Sequence, residues 1–277
     1  MMTADHQGDL TASPDGGDLG SRWGELKRTV GGLHFVATTP DAAARQVVAD
    51  AARPGRAAGE HIHLANAYSI ALSSQDEMSL GSAFGGSAWN LPDGKPVGWV
   101  SAYRRQVPRL RQVRGPQFFL DVCELGEPIG LRHYLLGGTP HVLELLKSSL
   151  ATRFPDIRIV GSDSPPFRTP TAAELEVRDR AIASSGAQIV WVGLGTPKQD
   201  IEAARLAGAL PIVAIAIGAG FDYAAGTLRA APAWMSAVGM EWFFRLLMEP
   251  ARLWRRYLFG NLRFILAVLR DPGHARR

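Results

Sequence analysis

Short apolar runs that alternate with helical segments dominate the second half of the sequence. Residues 132–136, 157–160, 189–192 and 212–217 predict buried strands, and the segments between them predict helices. Strands that are joined through helices form right-handed βαβ units, in which the strands run in the same direction. The sequence therefore predicts an α/β fold with a largely parallel sheet and helices on both of its faces.

Three of these strands end in glycine turns, at residues 137–138, 193–195 and 218–220. In open α/β sheets, ligands bind at the carboxyl ends of the strands. The second turn leads through Pro197 into a helix that begins near Lys198, and a helix N-terminus beside a glycine turn favours an anion. An ordinary strand-to-helix turn is the structural alternative for this segment.

The glycine turns match no standard nucleotide-binding motif. Lys198 stands where GxGxxG needs its third glycine, the turn at 218–220 continues into Tyr223, and GxxxxGK[ST] is absent. The sequence has no DxD-type pair, so the usual carboxylate ligands of a diphosphate-bridging Mg²⁺ or Mn²⁺ are missing. His61 and His63 alternate along one face of a predicted strand, but no third zinc ligand is visible. We therefore expect no metal site.

The composition is that of a folded protein with a disordered start. Of its 277 residues, 46% are hydrophobic and 20% are charged, which permits a sizeable core. The expected division is a polar, disordered tail at 1–30 without the apolar run of a signal peptide, an α/β domain at 31–235 and a helical segment at 236–277. The single cysteine, Cys123, lies in an apolar run and is interpreted as a core thiol in a reducing compartment.

The positive charge is concentrated at the C-terminus, because residues 241–277 carry a net charge of +5 within a total of +4. Their spacing places four arginines on one helical stripe among many Leu, Phe and Trp residues: Arg252, Arg256, Arg263 and Arg270. Such a helix is typical of a membrane interface, although no run reaches the roughly 18 apolar residues of a spanning helix. A helix packed on the domain with solvated arginines is the alternative, and the apolar content argues against a nucleic-acid partner.

A second basic segment lies between residues 101 and 120, which contain five arginines and no acidic residue: Arg104, Arg105, Arg109, Arg111 and Arg114. This segment has two interpretations, a solvated loop or a second edge that faces phosphate groups. The irregular spacing of the arginines does not separate the two.

Several blocks in order resemble the WecG/TagA/CpsF glycosyltransferases (family 26), and the resemblance covers about residues 33–269. In the second half the blocks are VGLGTPKQD at 192–200, GAGFD at 218–222, Gly226, Ala231-Pro232, Glu241-Trp242, Arg245-Leu246, Glu249-Pro250, Arg252, Arg255 and Arg256. In the first half they are Asn66, LPDG at 91–94, Arg114-Gly115 and Gly137-Gly138.

The resemblance implies a Rossmann-like α/β domain with a helical C-terminal appendage that associates with the membrane and completes the active site. It implies inverting transfer of a sugar, typically N-acetylmannosamine, from a UDP-sugar to a polyprenyl-diphosphate-linked sugar in the biosynthesis of teichoic acid, enterobacterial common antigen or capsule. It further implies catalysis without a cofactor or metal, and a peripheral location on the inner face of the plasma membrane. The resemblance leaves open whether the protein forms a homo-oligomer.

The resemblance also assigns roles to residues. Asp93 of the LPDG block matches the proposed catalytic base, although an aspartate there could instead only shape a Pro-Asp-Gly turn. Asn66 is a further expected active-site residue. Arg245, Arg252 and Arg255 match the appendage arginines that stabilise the leaving diphosphate. The UDP site is expected at Gly137, Gly138, Gly193, Gly195, Lys198, Gln199, Gly218 and Asp222.

One position departs from the family pattern. Many members carry Thr-x-Asn at the end of the second strand, with the threonine implicated in catalysis, and here Leu64 takes the place of that threonine. Leucine cannot form a hydrogen bond with a sugar. Either the substrate sugar differs from N-acetylmannosamine, or another hydroxyl such as that of Ser69 or Tyr68 replaces the missing one.

Two other functions stay open as alternatives. A nicotinamide-dependent oxidoreductase would use the same sheet edge, but the missing GxGxxG motif counts against it. A non-catalytic module that anchors a complex to the membrane would need only the C-terminal helix.

Overall fold

The computed structural model describes residues 27–75, 80–232, 234–235 and 238–271. Its strands are β1 (Lys27–Val30), β2 (Leu33–Val36), β3 (Glu60–Ala65), β4 (Trp89–Pro92), β5 (Arg132–Gly137), β6 (Arg158–Asp163), β7 (Ile189–Gly193) and β8 (Val213–Ala216). Its helices are α1 (Pro40–Ala52), α2 (Ala67–Ser73), α3 (Leu80–Phe84), α4 (Lys95–Tyr103), α5 (Gly115–Gly126), α6 (Pro140–Arg153), α7 (Ala172–Ser185), α8 (Lys198–Ala209), α9 (Gly220–Ala224), α10 (Glu241–Met248) and α11 (Pro250–Arg270).

The described strands form one sheet in the order β1-β2-β4-β3-β8-β7-β5-β6. Every neighbouring pair is parallel except β1 and β2, which are antiparallel. Equivalent positions near the strand ends lie side by side, with Ala65 opposite Pro92 and Gly137 opposite Gly193. The prediction of a largely parallel α/β sheet is confirmed, and the carboxyl ends of its parallel strands share one edge.

Side chains of each central strand alternate between two apolar layers, as the pleat of a strand requires. In β7, Ile189 and Trp191 face a core formed with α1, α5 and α6. Val190 and Val192 face a second core formed with α7 and α8. Both faces of the sheet are therefore covered by helices, which is why the strands read as continuous apolar runs.

Side-chain caps define the starts of three helices, and the sequence carries a signal for each: Thr39-Pro40, Thr139-Pro140, and Thr171 with Glu174 three residues later. The Thr39 and Thr139 hydroxyl groups accept hydrogen bonds from backbone N–H groups in the first turns of α1 and α6. Thr171 and Glu174 form a reciprocal capping box at α7. These local signals alone place three helix starts correctly.

Two segments differ from the sequence expectation. Lys27–Val30, assigned to the disordered tail, forms edge strand β1, because it pairs with β2 and buries Val30 completely. Residues 1–26 lie outside the described part of the chain. The stretch at 73–87, whose Ser and Gly content by itself predicts a loop, contains α3, which buries Leu80 and Phe84. Residues 76–79 lie outside the description.

Helix α11 is part of the core of the domain. Its Phe264 and Ala267 are buried in the same apolar cluster as Phe35 of β2 and Ile70 of α2. Gly260 lies so close to α2 that a Cβ there would be 3.0 Å from the Tyr68 ring. The C-terminal helix therefore completes the packing beneath β1 and β2, and could not be removed without exposing this cluster.

The arginine stripe of α11 turns partly toward the protein. The Arg256 guanidinium lies over the Tyr68 ring, 4.3 Å from its centre, and Arg263 is half-buried. The solvent-facing side of the helix is instead apolar, with Trp254, Leu258, Phe259, Leu262, Ile265, Leu266 and Leu269 exposed. The helix packs on the domain, as one interpretation expected, and it exposes an apolar side, as the membrane-interface interpretation requires. None of the helices in the described ranges has the length and apolarity to cross a membrane.

Candidate active site

Five neighbouring strands bring the predicted site residues to one edge of the sheet. In spatial order, Asp93 follows β4, Asn66 follows β3, Gly218 follows β8, Gly195 follows β7, and Gly137 ends β5. Four spacings of about 4.8 Å separate β4 from β5, so the predicted residues extend over about 19 Å. The predicted catalytic residues lie at the β4 end of this edge and the predicted UDP-binding glycines at the β5 end.

A cleft of about 470 Å³ lies at the β4 end, a volume typical of a small-molecule site. The sheet edge and α5 contribute Asn66, Asp93 and Arg114 to its wall, while α10 contributes Glu241 and Arg245. The C-terminal helices thus form one side of the cleft. Asp93, Asn66 and Arg245 are three of the predicted site residues, and the structure brings them together here.

The carboxyl group of Asp93 is one of the titratable groups in the wall of this cleft. Burial, together with the negative charge of Glu241, raises its pKa to about 6. The positive charges of Arg114 and Arg245 and a hydrogen bond from Asn66 oppose this rise in the pKa. A carboxylate whose pKa lies near neutrality is a stronger base than an ordinary aspartate and is still largely ionised at pH 7.

The carboxyl group of Asp93 is not needed to form the turn that follows β4. Helix α4 begins after Gly94, which adopts φ 85° and caps the helix without any side-chain hydrogen bond. Glycine accounts for this left-handed turn by itself, because it has no Cβ to clash. The alternative that Asp93 serves only to shape a Pro-Asp-Gly turn has no support in these contacts.

Asn66 is held in place by the start of α2. Its Oδ1 accepts hydrogen bonds from the backbone N–H groups of Tyr68 and Ser69, at 2.9 and 3.3 Å. The Ser69 hydroxyl in turn accepts from the Asn66 N–H, at 3.2 Å. Because the amide oxygen is committed to the helix cap, the amide NH₂ is the group that faces Asp93. Asn66 therefore positions the Asp93 carboxylate.

An ion pair joins α10 to the start of α5 across the cleft. Arg114 Nη2 lies 2.8 Å from Glu241 Oε1, with both side chains partly exposed. Arg245, one turn further along α10, lies over the Tyr223 ring at 6.0 Å from its centre. These contacts hold one acidic and two basic groups around Asp93.

The other two predicted appendage arginines are placed differently. Arg255 is exposed, lies over the Trp254 ring and does not line the cleft. The side chain of Arg252 lies outside the described part of the structure. A residue outside this set, Arg256, does line the cleft from its position over Tyr68.

The position that departs from the family pattern is buried in the core. Leu64 packs against Gly115, where a Cβ would lie 3.1 Å from the leucine Cδ1, and does not line the cleft. Of the two hydroxyl groups considered as replacements, that of Ser69 is occupied in the cap of α2. The Tyr68 side chain lines the cleft and is the better placed of the two.

Packing explains two of the predicted UDP-site glycines. A Cβ on Gly137 would lie 2.5 Å from the carbonyl oxygen of Gly193, and a Cβ on Gly193 would lie 2.6 Å from the Phe221 ring. The Gly138 N–H also donates to the Gly193 carbonyl at 3.3 Å. The backbones of the first two glycine turns are therefore in close contact, and close packing requires glycine at positions 137 and 193.

Gln199 braces the second glycine turn. Its Oε1 accepts from the Gly195 N–H at 3.0 Å, and the amide lies close to the backbone of Gly218. Gly195 itself adopts φ 77° and has open space on its Cβ side. Lys198 is exposed and lies over the Phe167 ring, 4.3 Å from its centre. The predicted group is contiguous, but Gln199 points inward as a structural brace.

Asp222 has a local role in the third turn. Its backbone carbonyl accepts from the N–H groups of Thr227 and Leu228, at 2.9 and 3.1 Å, and its carboxylate is near the Thr227 hydroxyl. Asp222 therefore contacts its own turn, and the next residue, Tyr223, lines the cleft.

The described ranges contain no group of three or more His, Cys, Asp or Glu side chains arranged to hold a metal ion. His61 and His63 contact each other at 2.9 Å, and His63 Nδ1 contacts Asp200 at 3.0 Å. Burial and the neighbouring His63 lower the pKa of His61 to about 4. This buried pair is occupied by hydrogen bonds within the core.

The cleft residues that were not identified as site residues from the sequence include Arg114, Tyr223, Glu241 and Arg256. Arg114, Glu241 and Arg256 do belong to the blocks that carry the family resemblance. The family blocks thus contained these residues, but the sequence did not show that α10 contacts the start of α5 beside Asp93.

Comparison with known proteins agrees with this arrangement. A model of the "Glycosyl transferase WecG/TagA/CpsF family" matches residues 28–277. A Bacillus subtilis (strain 168) protein, N-acetylglucosaminyldiphosphoundecaprenol N-acetyl-beta-D-mannosaminyltransferase, is 29% identical over 183 residues, which cover 65% of this chain and 68% of that protein. The family-model match at 28–277 includes the sheet from Arg28 onward, the cleft residues and the C-terminal helices. The chain belongs to the WecG/TagA/CpsF family and is a glycosyltransferase.

Proposed function

We propose that this glycosyltransferase moves a hexose resembling N-acetylmannosamine from a UDP-sugar to a polyprenyl-diphosphate-linked sugar, with inversion and without a metal ion. The observation that carries the proposal is the Asp93 carboxyl group, which has a raised pKa and lies in a cleft between the sheet edge and the C-terminal helices. The name of the Bacillus relative supports the choice of sugar and acceptor. The biosynthetic context is a cell-surface polysaccharide.

In the proposed reaction, Asp93 removes the proton from the acceptor hydroxyl as its oxygen attacks the anomeric carbon of the donor. The new glycosidic bond forms while the bond from the anomeric carbon to the phosphate oxygen breaks, and UDP leaves with the electron pair. Backbone N–H groups of the glycine turns and the guanidinium of Arg245 stabilise the negative charge on the diphosphate. Asn66 keeps the Asp93 carboxylate in position.

The donor is proposed to lie along the shared edge of the sheet. Its uridine and diphosphate occupy the glycine turns after β5, β7 and β8, and its sugar reaches the cleft beside Asp93. The distance of about 19 Å along the edge suits an extended nucleotide sugar. Arg245, which lines the cleft, then lies beside the bond between the anomeric carbon and the phosphate oxygen, which breaks in the reaction.

Membrane contact is proposed for the apolar outward side of α11. A lipid-linked acceptor is confined to a bilayer, so an enzyme that uses it needs a surface that reaches the interface. Exposed Trp254, Phe259 and Leu262 provide such a surface next to the cleft wall formed by Arg256 and Tyr257. The location that follows is peripheral, on the cytoplasmic face of the membrane.

Substitution of the base tests the proposal directly. Asp93→Asn should lower kcat by about 10²- to 10⁴-fold while the affinity for UDP changes little, because general-base catalysis contributes about that much. Transfer is measured by mass spectrometry with UDP-hexoses and a prenyl-diphosphate-linked sugar. Asp121→Asn, on the outer part of α5, is the matched control. A non-catalytic anchor would lose nothing in either variant, and unchanged turnover in Asp93→Asn would overturn the mechanism.

Nucleotide binding separates the proposal from the oxidoreductase alternative. UDP should bind saturably and compete with the UDP-sugar, and NAD should not. Isothermal titration with each nucleotide measures this difference. Saturable binding of NAD without binding of UDP would overturn the proposed donor.

Independence from metal ions is a separate expectation. Activity should persist after dialysis against EDTA, because the cations proposed to stabilise the diphosphate are arginines. Initial rates with EDTA, with Mg²⁺ and with Mn²⁺ are compared at equal ionic strength. A strict requirement for Mn²⁺ would contradict the metal-free mechanism.

A further inference from the structure

A second cavity, of about 490 Å³, lies beside the active-site cleft and is strongly basic. Its wall contains Lys95, Arg109 and Arg111 together with the ring of Trp99. None of the residues that line it is acidic. A cavity of this size with three cations is suited to an anionic ligand.

The three cations are not used in ion pairs within the described part of the chain. Two other arginines of the same segment are held by structural contacts. Arg104 donates to the Val268 carbonyl at 2.6 Å, and Arg114 pairs with Glu241. Lys95, Arg109 and Arg111 have no carboxylate within ion-pair distance among the described residues, so their charges remain available to a ligand. Within the basic run at 101–120, Arg104 and Arg114 therefore have structural roles, whereas Arg109 and Arg111 face a cavity.

The basic cavity is continuous with the active-site cleft, because Lys95, Trp99 and Gln112 line both. Trp99 packs closely on the segment before α10, where a Cβ on Gly239 would lie 2.7 Å from the indole ring. Lys95 is only two residues from Asp93. An anion bound in the basic cavity would therefore lie next to the proposed base.

The position of the cavity along the sheet separates it from the glycine turns. Helix α4 begins after β4 and contacts β1, while the glycine turns follow β8, β7 and β5 on the other side of Asp93. The chain after α4 stays on the β1 side, where Gln106 donates to the Thr29 carbonyl at 3.0 Å. Asp93 thus lies between the basic cavity and the glycine turns.

An exposed apolar strip leads away from the basic cavity. Lys95, Trp99 and Tyr103 follow one another at intervals of four residues and share one side of α4. Trp99, Tyr103 and Val107 are 54%, 90% and 80% exposed. Cations near the cleft followed by apolar side chains match a ligand with an anionic head and an apolar tail.

We propose that Lys95, Arg109 and Arg111 bind the diphosphate of the lipid-linked acceptor, with the first prenyl units over Trp99 and Tyr103. This inference rests on the proposed function, since it assumes that the acceptor carries a prenyl diphosphate. It assigns the acceptor diphosphate and the donor diphosphate to opposite sides of Asp93. The sugar of the acceptor then extends from the diphosphate into the cleft, where its hydroxyl meets the base.

Acceptor kinetics test the assignment. For Arg109→Ala/Arg111→Ala, the KM for a short-chain prenyl-diphosphate-linked N-acetylglucosamine should rise at least tenfold, while the KM for the UDP-sugar and the melting temperature stay unchanged. A water-soluble acceptor removes membrane binding as a cause. Arg153→Ala/Arg158→Ala, at the opposite edge of the sheet, changes the charge equally and is the control. An unchanged acceptor KM would overturn the assignment, as would a variant that lost only vesicle binding.

Direct binding provides a test that needs no turnover. Farnesyl diphosphate, titrated while tryptophan fluorescence is recorded, should bind the wild-type protein and bind the double variant at least tenfold more weakly. Saturating UDP should not displace it. Displacement by UDP would overturn the inference and assign the cavity to the donor. If the wild-type protein binds farnesyl diphosphate through these arginines but transfers no sugar from any UDP-hexose, the proposed function fails and the anion site stands.

Discussion

At the scale of single residues, the state of Asp93 depends on groups contributed by distant parts of the chain. Glu241 raises the pKa of its carboxyl group, and Arg114, Asn66 and Arg245 lower it. Arg114 is itself paired with Glu241, so the ion pair moderates the effect of both charges on Asp93. Burial is the largest cause of the raised pKa of Asp93, and charged groups of α10 adjust it.

The pH dependence of activity follows from this arrangement. Asp93 can accept a proton only as a carboxylate, so kcat/KM should fall as the pH drops through the pKa of about 6. Glu241→Gln removes a negative charge and releases Arg114, so the pKa of Asp93 should fall and the acidic limb should move to lower pH. Profiles of kcat/KM between about pH 4 and pH 8 measure the shift.

The control for this prediction is Glu144→Gln on α6, whose carboxylate pairs with Lys147 at 3.0 Å on the surface. It removes the same charge outside the cleft and should leave the acidic limb in place. An acidic limb that stays fixed or moves to higher pH in Glu241→Gln would contradict the electrostatic account of Asp93.

At the scale of elements, the glycine turns hold three strand ends in close contact. Gly137, Gly193 and Phe221 pack without space for a further side-chain atom, and Gln199 braces the second turn from inside. The rigid edge that results is the surface on which the donor is proposed to lie. Close packing requires glycine at positions 137 and 193, where a Cβ would clash. At Gly195, which has open space, the proposed reason for glycine is ligand access.

Alanine substitutions should separate these reasons. Gly137→Ala should destabilise the protein by about 1–3 kcal/mol or more, because the new Cβ meets backbone. Gly195→Ala should cost about 1–2 kcal/mol from its left-handed φ alone. Gly208→Ala, in α8 with open space, should be neutral or stabilising by up to about 1 kcal/mol. Urea unfolding measures all three, and equal midpoints for Gly195→Ala and Gly208→Ala would contradict the backbone argument.

At the scale of the whole molecule, one C-terminal segment serves the core, the cleft and the proposed membrane surface. Phe264 and Ala267 of α11 are buried under the sheet, Glu241 and Arg245 of α10 line the cleft, and the outward side of α11 is apolar. Deleting this segment would disturb all three at once. Surface substitutions are therefore a sharper test of membrane binding than truncation.

Two exposed leucines of α11 provide that test. Leu258→Ser/Leu269→Ser should weaken binding to anionic liposomes at least tenfold. Each of these exposed leucines would contribute about 2 kcal/mol to the binding free energy on entering the membrane interface. The melting temperature should stay unchanged, since both side chains are exposed. Ile129→Ser/Val177→Ser, with similar exposure elsewhere on the surface, is the control. Equal partitioning of the two variants in a liposome sedimentation assay would show that α11 does not contact the membrane.

Local patterns in the sequence predicted much of this architecture. The apolar runs predicted the strands from β5 to β8, the Thr-Pro pairs predicted the starts of α1 and α6, and the glycine turns predicted the ligand-binding edge. The family blocks, including Asp93 and Arg245, indicated a glycosyltransferase. These features are readable because each depends on residues within one element or on a motif kept in order along the chain.

The tertiary structure decided which sides of those elements face each other. Spacing placed the arginines of α11 on one stripe, but only packing against Tyr68 turned Arg256 toward the cleft and left the apolar side in solvent. The same is true of Leu64, which packs into the core, and of Glu241, which reaches Asp93 from a helix about 150 residues further along the chain. Periodicity specifies which residues share a face, but contacts between elements far apart in sequence specify what that face meets.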